Sequence, residues 1–366
     1  ITVTLPLSPA AGAVIGVSDY AGTSDTNAIT IGRNGSNING AAADLNIQIE
    51  NSAVTLVYVD STQGWKATDT SNLSDIELQP TYITATGGTI TCSPCGDYKI
   101  HTFTGPGTFC VSTLGNPVGS DTVDYMVVSG GGGGGGGRGG GGGAGGFREG
   151  YNPGSYTASP LATTSLPVSA TGYPITIGGS GSPGVYGGSA ATNGSNSIFS
   201  TITSAGGGLG GGESSPASAA GGSGGGGARD GSAGAGNTPP VSPSQGNNGG
   251  NPYPATAGGG SGGGATAIGG AGSTPTGGAG GAGATTSING SPTAFAGGGG
   301  ASGNCITGGA GGAGGGGAGG TSPGGTAVAG GTNTGGGGGG GRGSACRGNG
   351  GAGGSGIVII RYKFQN

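Results

Sequence analysis

Five cysteines and a single histidine carry most of the reactive chemistry in this sequence: Cys92, Cys95, His101, Cys110, Cys305 and Cys346. The first four read C-x2-C-x5-H-x8-C, thiols and an imidazole of the kinds that wrap a tetrahedral zinc. A solitary CxxC lacks the second pair of a zinc ribbon, so a disulfide in this cluster or buried thiols are expected ahead of metal, and no cofactor is expected. Cys305 and Cys346 stand far apart among glycines. A bridge between them would close a loop of about forty residues and stabilise the chain by roughly 3–4 kcal/mol on the chain-entropy model. Spacing alone leaves the connectivity open.

Catalysis finds little footing. His101 has no serine or carboxylate at a recognisable spacing, the acidic residues are scattered, and the glycine runs lack the Lys-Ser/Thr ending of a phosphate loop. The chain is expected not to be an enzyme, although carboxylates that meet only in three dimensions stay open. Binding has better candidates. Asn251 and Tyr253 in GGNPYPAT and Phe295 in SPTAFAGG sit in connectors otherwise made of small residues. A flat ring beside Asn or Ser suits receptor recognition from a loop on a rigid scaffold. The alternative, a ring that plugs its own loop, stays open for both aromatics and more so for Phe295. Arg138 and Arg342, each inside a glycine run, are expected to donate to carbonyls of neighbouring segments.

The elements that must position these residues change character along the chain. Residues 1–80 alternate apolar and polar with period two, as in Ile29/Ile31, Leu45/Ile47/Ile49 and Val54/Leu56/Tyr58, with turn signals near every ten residues. That spacing predicts a β-sandwich or barrel, with Trp65 plugging its core. Residues 81–121 predict a β-hairpin neck turning at FTGPGTF, which would set His101 almost opposite Cys110. From 122 onward glycine dominates: 13 of the 105 glycines fall in residues 1–115 and 92 in 116–366. The strand-like TVDYMVV (122–128) and GSGIVIIRYKF (354–364) bracket this region and are expected to pair, 122–128 with 355–364, as a clamp.

A glycine run is by default a linker, because glycine loses more backbone freedom on folding than any other residue and brings no side chain to bury. The bracketing strands argue otherwise. Polyglycine can form the left-handed, three-residue polyproline II helix, whose N–H and C=O groups point outward to neighbours. Such rods can pack side by side and pair every buried backbone group. The fold expected is therefore mainly β: an N-terminal sandwich-like domain, a hairpin neck, then packed polyglycine II helices clamped by strands over 122–366.

Charged residues make up 7% of the chain and the net charge is −4, leaving no basic field for nucleic acid and no polybasic patch for a membrane. No run approaches the roughly 20 apolar residues of a membrane span. The opening ITVTLPL, strand-like and without Met, is expected to continue something longer.

Two stretches bear a family resemblance. ITVTLPLSPAAGAVIGVSDYAGT with NAITIGRNGSNINGAAADLNIQIENSAVTLVYVDSTQGWKA (within 1–67) resembles a β domain that recurs in tail-fibre and other virion proteins of tailed bacteriophages. GDYKIHTFTGPGTF, VDYMVVSGGGGGGGGRGGGGGAGGFREG, NGSNSIFSTITSAGGG and GSGIVIIRYKF together are similar to the glycine-rich C-terminal domain of many phage structural proteins. The resemblance implies a non-enzymatic virion fibre located on the particle, outside cells. It implies a homotrimer joined to other virion proteins, whose glycine-rich part contacts a host cell-surface receptor, a glycan or an outer-membrane protein. The alternatives are an architectural fibre or capsid decoration without a ligand, and, more remotely, an ice-binding glycine-rich protein.

Overall fold

The computed structural model describes residues 1–69, 76–78, 80–94, 96–116, 118–215, 217–253, 258–303, 307–321, 326–343 and 348–365. The chain divides into two compact units, one of Ile1–Thr84, Ser112–Asp121 and Lys363–Asn366, the other of Ala85–Val111 and Thr122–Tyr362.

The first unit holds β1 (Thr2–Thr4), β2 (Val14–Ser18), β3 (Ile29–Gly32), β4 (Leu45–Ile47), β5 (Ala53–Asp60), β6 (Gly64–Asp69) and β7 (Ile76–Leu78). They form two sheets, ordered β1-β3-β4-β7 and β2-β5-β6. The period-two residues read from the sequence supply its core: Ile29, Ile31, Leu45, Ile47, Val54 and Leu56 are buried around Trp65. The indole meets Tyr58 edge-on at 5.5 Å. The β5–β6 turn is drawn tight by Asp60, whose carboxylate accepts the Thr62 and Gln63 amides at 2.8 and 2.6 Å. It closes on Gly64 (φ +69°), where a Cβ would run into the Asn37 carbonyl. Only glycine fits both demands.

Apart from the strand-end residues Thr84, Ser112, Thr113 and Lys363, the second unit contains β8 (Thr84–Thr86), β9 (Thr89–Cys92), β10 (Tyr98–Phe103), β11 (Gly107–Thr113), β12 (Thr122–Val128), β13 (Phe147–Tyr151), β14 (Ala162–Thr164) and β15 (Leu166–Pro167). It continues with β16 (Gly172–Thr176), β17 (Ser197–Phe199), β18 (Ile202–Ser204), β19 (Ala284–Thr286), β20 (Thr293–Phe295) and β21 (Ile357–Lys363). One sheet runs β14-β13-β12-β21-β10-β9, with β15 added on β12; a second runs β18-β17-β16-β11-β8; β19 and β20 pair alone. The expected clamp is present: β12 and β21 pair antiparallel, Tyr125 opposite Ile360 and Val128 opposite Ile357.

That pair is apolar on both faces because both are covered. On one face His101, Phe109, Tyr125, Phe199 and Tyr362 interlock between the two larger sheets, with ring centroids 5.1–6.3 Å apart. On the other, Met126, Val128, Ile357 and Ile359 pack with Ile288 and Phe295 from the β19–β20 hairpin.

The neck hairpin is not formed. The strands either side of Gly105-Pro106 join different sheets: β10 pairs β9 and β21, whereas β11 pairs β16 and β8. Both carry large residues on the face between the sheets, His101 and Phe103 on one and Phe109 and Val111 on the other, all buried. Stacking them face to face buries both sets, whereas an in-plane hairpin would leave those faces to find other cover.

The glycine segments hang from these sheets and bond to one another with a period of three. Gly131, Gly134 and Gly137 donate to Gly354, Gly351 and Gly348; Gly130 and Gly133 donate to Ser195 and Thr192; Gly132 and Gly135 donate to Gly143 and Gly140. In the same segment the carbonyls of Gly130, Gly133 and Gly136 accept from Gly207, Gly210 and Glu213, those of Gly131 and Gly134 from Gly181 and Gly184, and those of Gly132 and Gly135 from Gly338 and Gly341. Residues 130–137 thus touch six neighbouring segments through backbone alone. Segment 139–146 repeats the pattern, Gly139, Gly142 and Gly145 donating to Gly341, Gly338 and Gly335. Each bond contributes about 1 kcal/mol net. That is comparable to the backbone entropy lost per residue, so a lattice that bonds nearly every amide holds where a single rod would not. At Gly142 a Cβ would fall closer than 3.0 Å to the Gly132 carbonyl, and the same holds through most of the lattice interior. At these glycines the backbones approach too closely for a side chain.

Candidate functional site

The lattice bonds sort the connectors into two sets. Some lie near the sheets and lean on the apolar core, where Ala265 and Ala296 are buried in the same cluster as Phe295. The remainder gather at the opposite end of the glycine segments, and side-by-side bonds place them as neighbours. Gly137 donates to Gly348 and Glu213 to Gly136; Gly139 accepts from Ser302, and Gly340 from Gly320. The Tyr186 amide donates to the Asn349 side chain at 3.0 Å. The turns at 136–138, 185–188, 212–215 and 228–231, and the ends of the segments at 251–253, 302, 320–321, 342–343 and 348, therefore form one loop-bearing face.

Its charge pattern stands out against the lattice. Residues 129–146 and 177–356 contain six charged side chains, Arg138, Glu213, Arg229, Asp230, Arg342 and Arg347. The five that the structure describes all lie on this face. Arg229 approaches Glu213 at 3.9 Å, a long and half-exposed pair of little energetic weight. Arg138 takes φ +50° to turn the chain, and its Nε is buried without a hydrogen-bond partner. Arg342 is buried and donates to the Thr321 carbonyl at 3.4 Å, the expected arginine-to-carbonyl role.

Beside Arg229 and Asp230 lies a shallow cleft of about 350 Å³, closed on its other side by Asn251 and Pro252. Asn251 is exposed and accepts from the Ala233 amide at 3.2 Å. Tyr253, which follows Pro252, is 48% exposed, and its amide donates to the Gly258 carbonyl. Of these two candidates Asn251 lines the cleft, and Tyr253 stands exposed two residues further along the chain. Phe295 is not with them: it is 4% exposed in the core at the opposite end of the lattice, so the plugging role holds and its place among receptor-binding candidates is corrected.

The thiol cluster does not assemble as the hairpin predicted. His101 is opposite Ile90 in β9, and Cys110 is opposite Gly172 in β16. The histidine points into the core while Cys92 and Cys110 are free and exposed, a correction to the expectation of buried thiols. Among the described residues no group of three or more His, Cys, Asp or Glu is placed to hold a metal ion. Cys95, Cys305 and Cys346 lie outside the described residues, and with them the 305–346 disulfide.

His101 is a structural residue. Its Nδ1–H donates to the Gly87 carbonyl at 2.7 Å, which leaves Nε2 to accept from the Tyr362 hydroxyl at 3.2 Å. Burial holds its pKa below the usual imidazole value, partly opposed by the Gly87 bond. A family model described as a glycine-rich domain matches residues 103–363. The chain belongs to the glycine-rich domain family. No curated protein matches it. No helix among the described residues of this glycine-rich domain protein is long and apolar enough to cross a membrane.

A second charged cluster, unmarked in the sequence, lies inside the domain. Asp124 and Arg361 are opposite each other on β12 and β21 and both are buried, with Glu149 close by. Asp124 accepts from the Asn152 amide at 2.7 Å and the Ser155 hydroxyl at 2.8 Å. Glu149 accepts from Tyr156 at 3.0 Å, the Ser159 amide at 2.9 Å and Thr286. Arg361 donates to the Ser155 carbonyl at 2.7 Å and lies 4.3 Å over the Tyr98 ring. These bonds tie the β13–β14 connector and the β19–β20 hairpin to the clamp. In the sequence the three charges are far apart, and only the strand register reveals them together.

Proposed function

We propose that this chain is a structural fibre protein of a tailed phage virion, and that its glycine-rich domain presents loops which bind a receptor on the host cell surface. The observation that carries the reading is the lattice: three-residue bonding to six neighbours, ending in turns collected on one face. This periodicity supports polyglycine II packing, a scaffold stiff enough to hold recognition loops in fixed register. The likeness of residues 1–67 and of the glycine-rich segments to phage structural proteins supplies the setting. On this reading the chain binds rather than catalyses, assembles as a homotrimer with other virion proteins, and resides on the particle.

Gold-labelled antibody against residues 246–253, imaged on intact particles, tests the location, and Fab inhibition of particle adsorption tests the role. Label at a tail tip together with blocked adsorption is expected. Label on the capsid, or adsorption unaffected by saturating Fab, would favour a purely architectural fibre.

A further inference from the structure

We propose that the cleft between the turn at 228–231 and residues 251–253 binds an acidic saccharide, one bearing carboxylate or phosphate groups. This deepens the reading of the loop-bearing face as the receptor surface and rests on it. The argument has three independent parts.

The first is charge placement. A chain of net charge −4 with ten Lys and Arg puts four of them, Arg138, Arg229, Arg342 and Arg347, among the six charged residues of its glycine segments. The remaining charge of the chain lies elsewhere and is predominantly acidic. A lattice held by amides has no structural use for exposed cations. Arg342 is explained by its carbonyl bond; the guanidinium of Arg229, on a side chain 39% exposed and paired to Glu213 only at 3.9 Å, is not. A long, half-hydrated pair releases its arginine to a better acceptor at little cost, and a guanidinium fork suits planar carboxylate or phosphate oxygens.

The second is the company Arg229 keeps. The same cleft offers the Asp230 carboxylate as a hydroxyl acceptor and the Asn251 amide as both donor and acceptor, within about 350 Å³. These groups pair with sugar hydroxyls, which a bare phosphate or sulfate ion does not offer. The third is Tyr253, a 48% exposed ring two residues beyond the cleft-lining Asn251, whose amide is bonded to the Gly258 carbonyl. A ring held in place gives an apolar sugar face a platform at little entropic cost. Arginine alone would indicate any polyanion; arginine with an acidic acceptor, an amide and an aromatic platform indicates a charged sugar.

The test uses the purified full chain immobilised on a biosensor, with three soluble probes: polygalacturonate for carboxylate, glycerol-phosphate teichoic acid for phosphate, and dextran as the neutral polymer. Retention of at least one charged probe about tenfold above dextran is expected, weakening as salt rises. Loss of about tenfold is expected in Arg229→Gln and again in Tyr253→Ala, with Gly179→Ala as a variant remote from the cleft that leaves retention unchanged. The charged probe retained identifies carboxylate or phosphate as the group recognised. Equal retention of all three polymers, or full retention by Arg229→Gln and Tyr253→Ala, would overturn the inference. Unchanged thermal unfolding of both variants shows that any loss is local. Because the probes meet isolated protein, a negative result here with positive tail-tip labelling rejects the saccharide and keeps the fibre reading; the reverse pair of results does the opposite.

Discussion

One substitution made at two glycines gives opposite outcomes if the lattice is as described. At Gly142 a new Cβ would collide with the Gly132 carbonyl and the Gly133 backbone. Neither is the end of a flexible side chain, so a whole segment must move. Gly142 donates to Gly338 and accepts from Gly299, and its neighbour Gly143 accepts from Gly132. Shifting segment 139–146 loosens these three bonds at about 1 kcal/mol each, with overpacking strain of about 1–3 kcal/mol in addition. Gly142→Ala should therefore cost about 4 kcal/mol, which for a domain of this size lowers the melting temperature by roughly 8–16 °C.

At Gly179 nothing lies within 4 Å of the added carbon and the backbone is not left-handed. Gly179→Ala should be neutral or stabilise by about 0.4–1 kcal/mol, by restricting the unfolded chain. Thermal and denaturant unfolding of the two variants beside the parent protein reads the contrast. Equal, small effects at both positions would refute the close approach of backbones on which the lattice rests.

Further expectations concern the sheets. Burial raises the Asp124 pKa to about 6, against the Ser155 and Asn152 hydrogen bonds and Arg361, from an ordinary 3.8. Its contribution is thus fully present below pH 3.8 and lost as pH rises through about 6, a change of about 3 kcal/mol at 1.36 kcal/mol per unit. The stability difference between wild type and Asp124→Asn should fall by up to that amount from pH 4 to 7 in denaturant titrations, and a constant difference would contradict it. His101 slopes the other way: with its pKa held below 6.5, its contribution is present above pH 6.5 and is lost on acidification below that value. Wild type should lose its advantage over His101→Gln as pH falls from 7 to 5. Trp65→Ala should cost the first unit about 3–5 kcal/mol, seen as earlier unfolding of residues 1–69 by hydrogen exchange. Glu149→Ala, which strips an acceptor from Tyr156, Ser159 and Thr286, should cost about 3 kcal/mol or more and expose β19–β20 to proteolysis.

Much of the sheet framework was legible because side chains encode it. Alternation named Ile29, Ile31, Leu45, Ile47, Val54 and Leu56, which are core, and Ile49, which is exposed; the apolar run Ile357–Ile360 marked a strand, whose cover on both faces only the fold supplied. The clamp followed from the two strand-like stretches that bracket the glycine. The hairpin failed because a Gly-Pro-Gly turn is equally compatible with two strands in one sheet and with two strands in facing sheets; the inward Phe103 and Phe109 decide between them, and both were visible.

Which glycine segment neighbours which was not legible at all. A residue without a side chain carries no partner preference, so the order is set by connector lengths and by the sheets that launch each segment. Tyr253 and Asn251 were found as oddities in a featureless connector. Arg229 and Asp230 carried the same signal, charge in an uncharged body, and became meaningful only once the fold set them across a cleft from Asn251. Phe295 looked like a surface ring because its partners Met126 and Ile359 are far away in the chain.

Native-state hydrogen exchange across residues 130–146, 205–212, 258–264 and 335–342, followed by mass spectrometry, addresses the ordered amide lattice most directly. These segments should retain their amide hydrogens for hours, comparably to β12 and β21, while the turn at Arg229 and Asp230 exchanges within seconds. Exchange of the glycine segments at the rate of an unstructured peptide, with protection confined to the strands, would contradict the account.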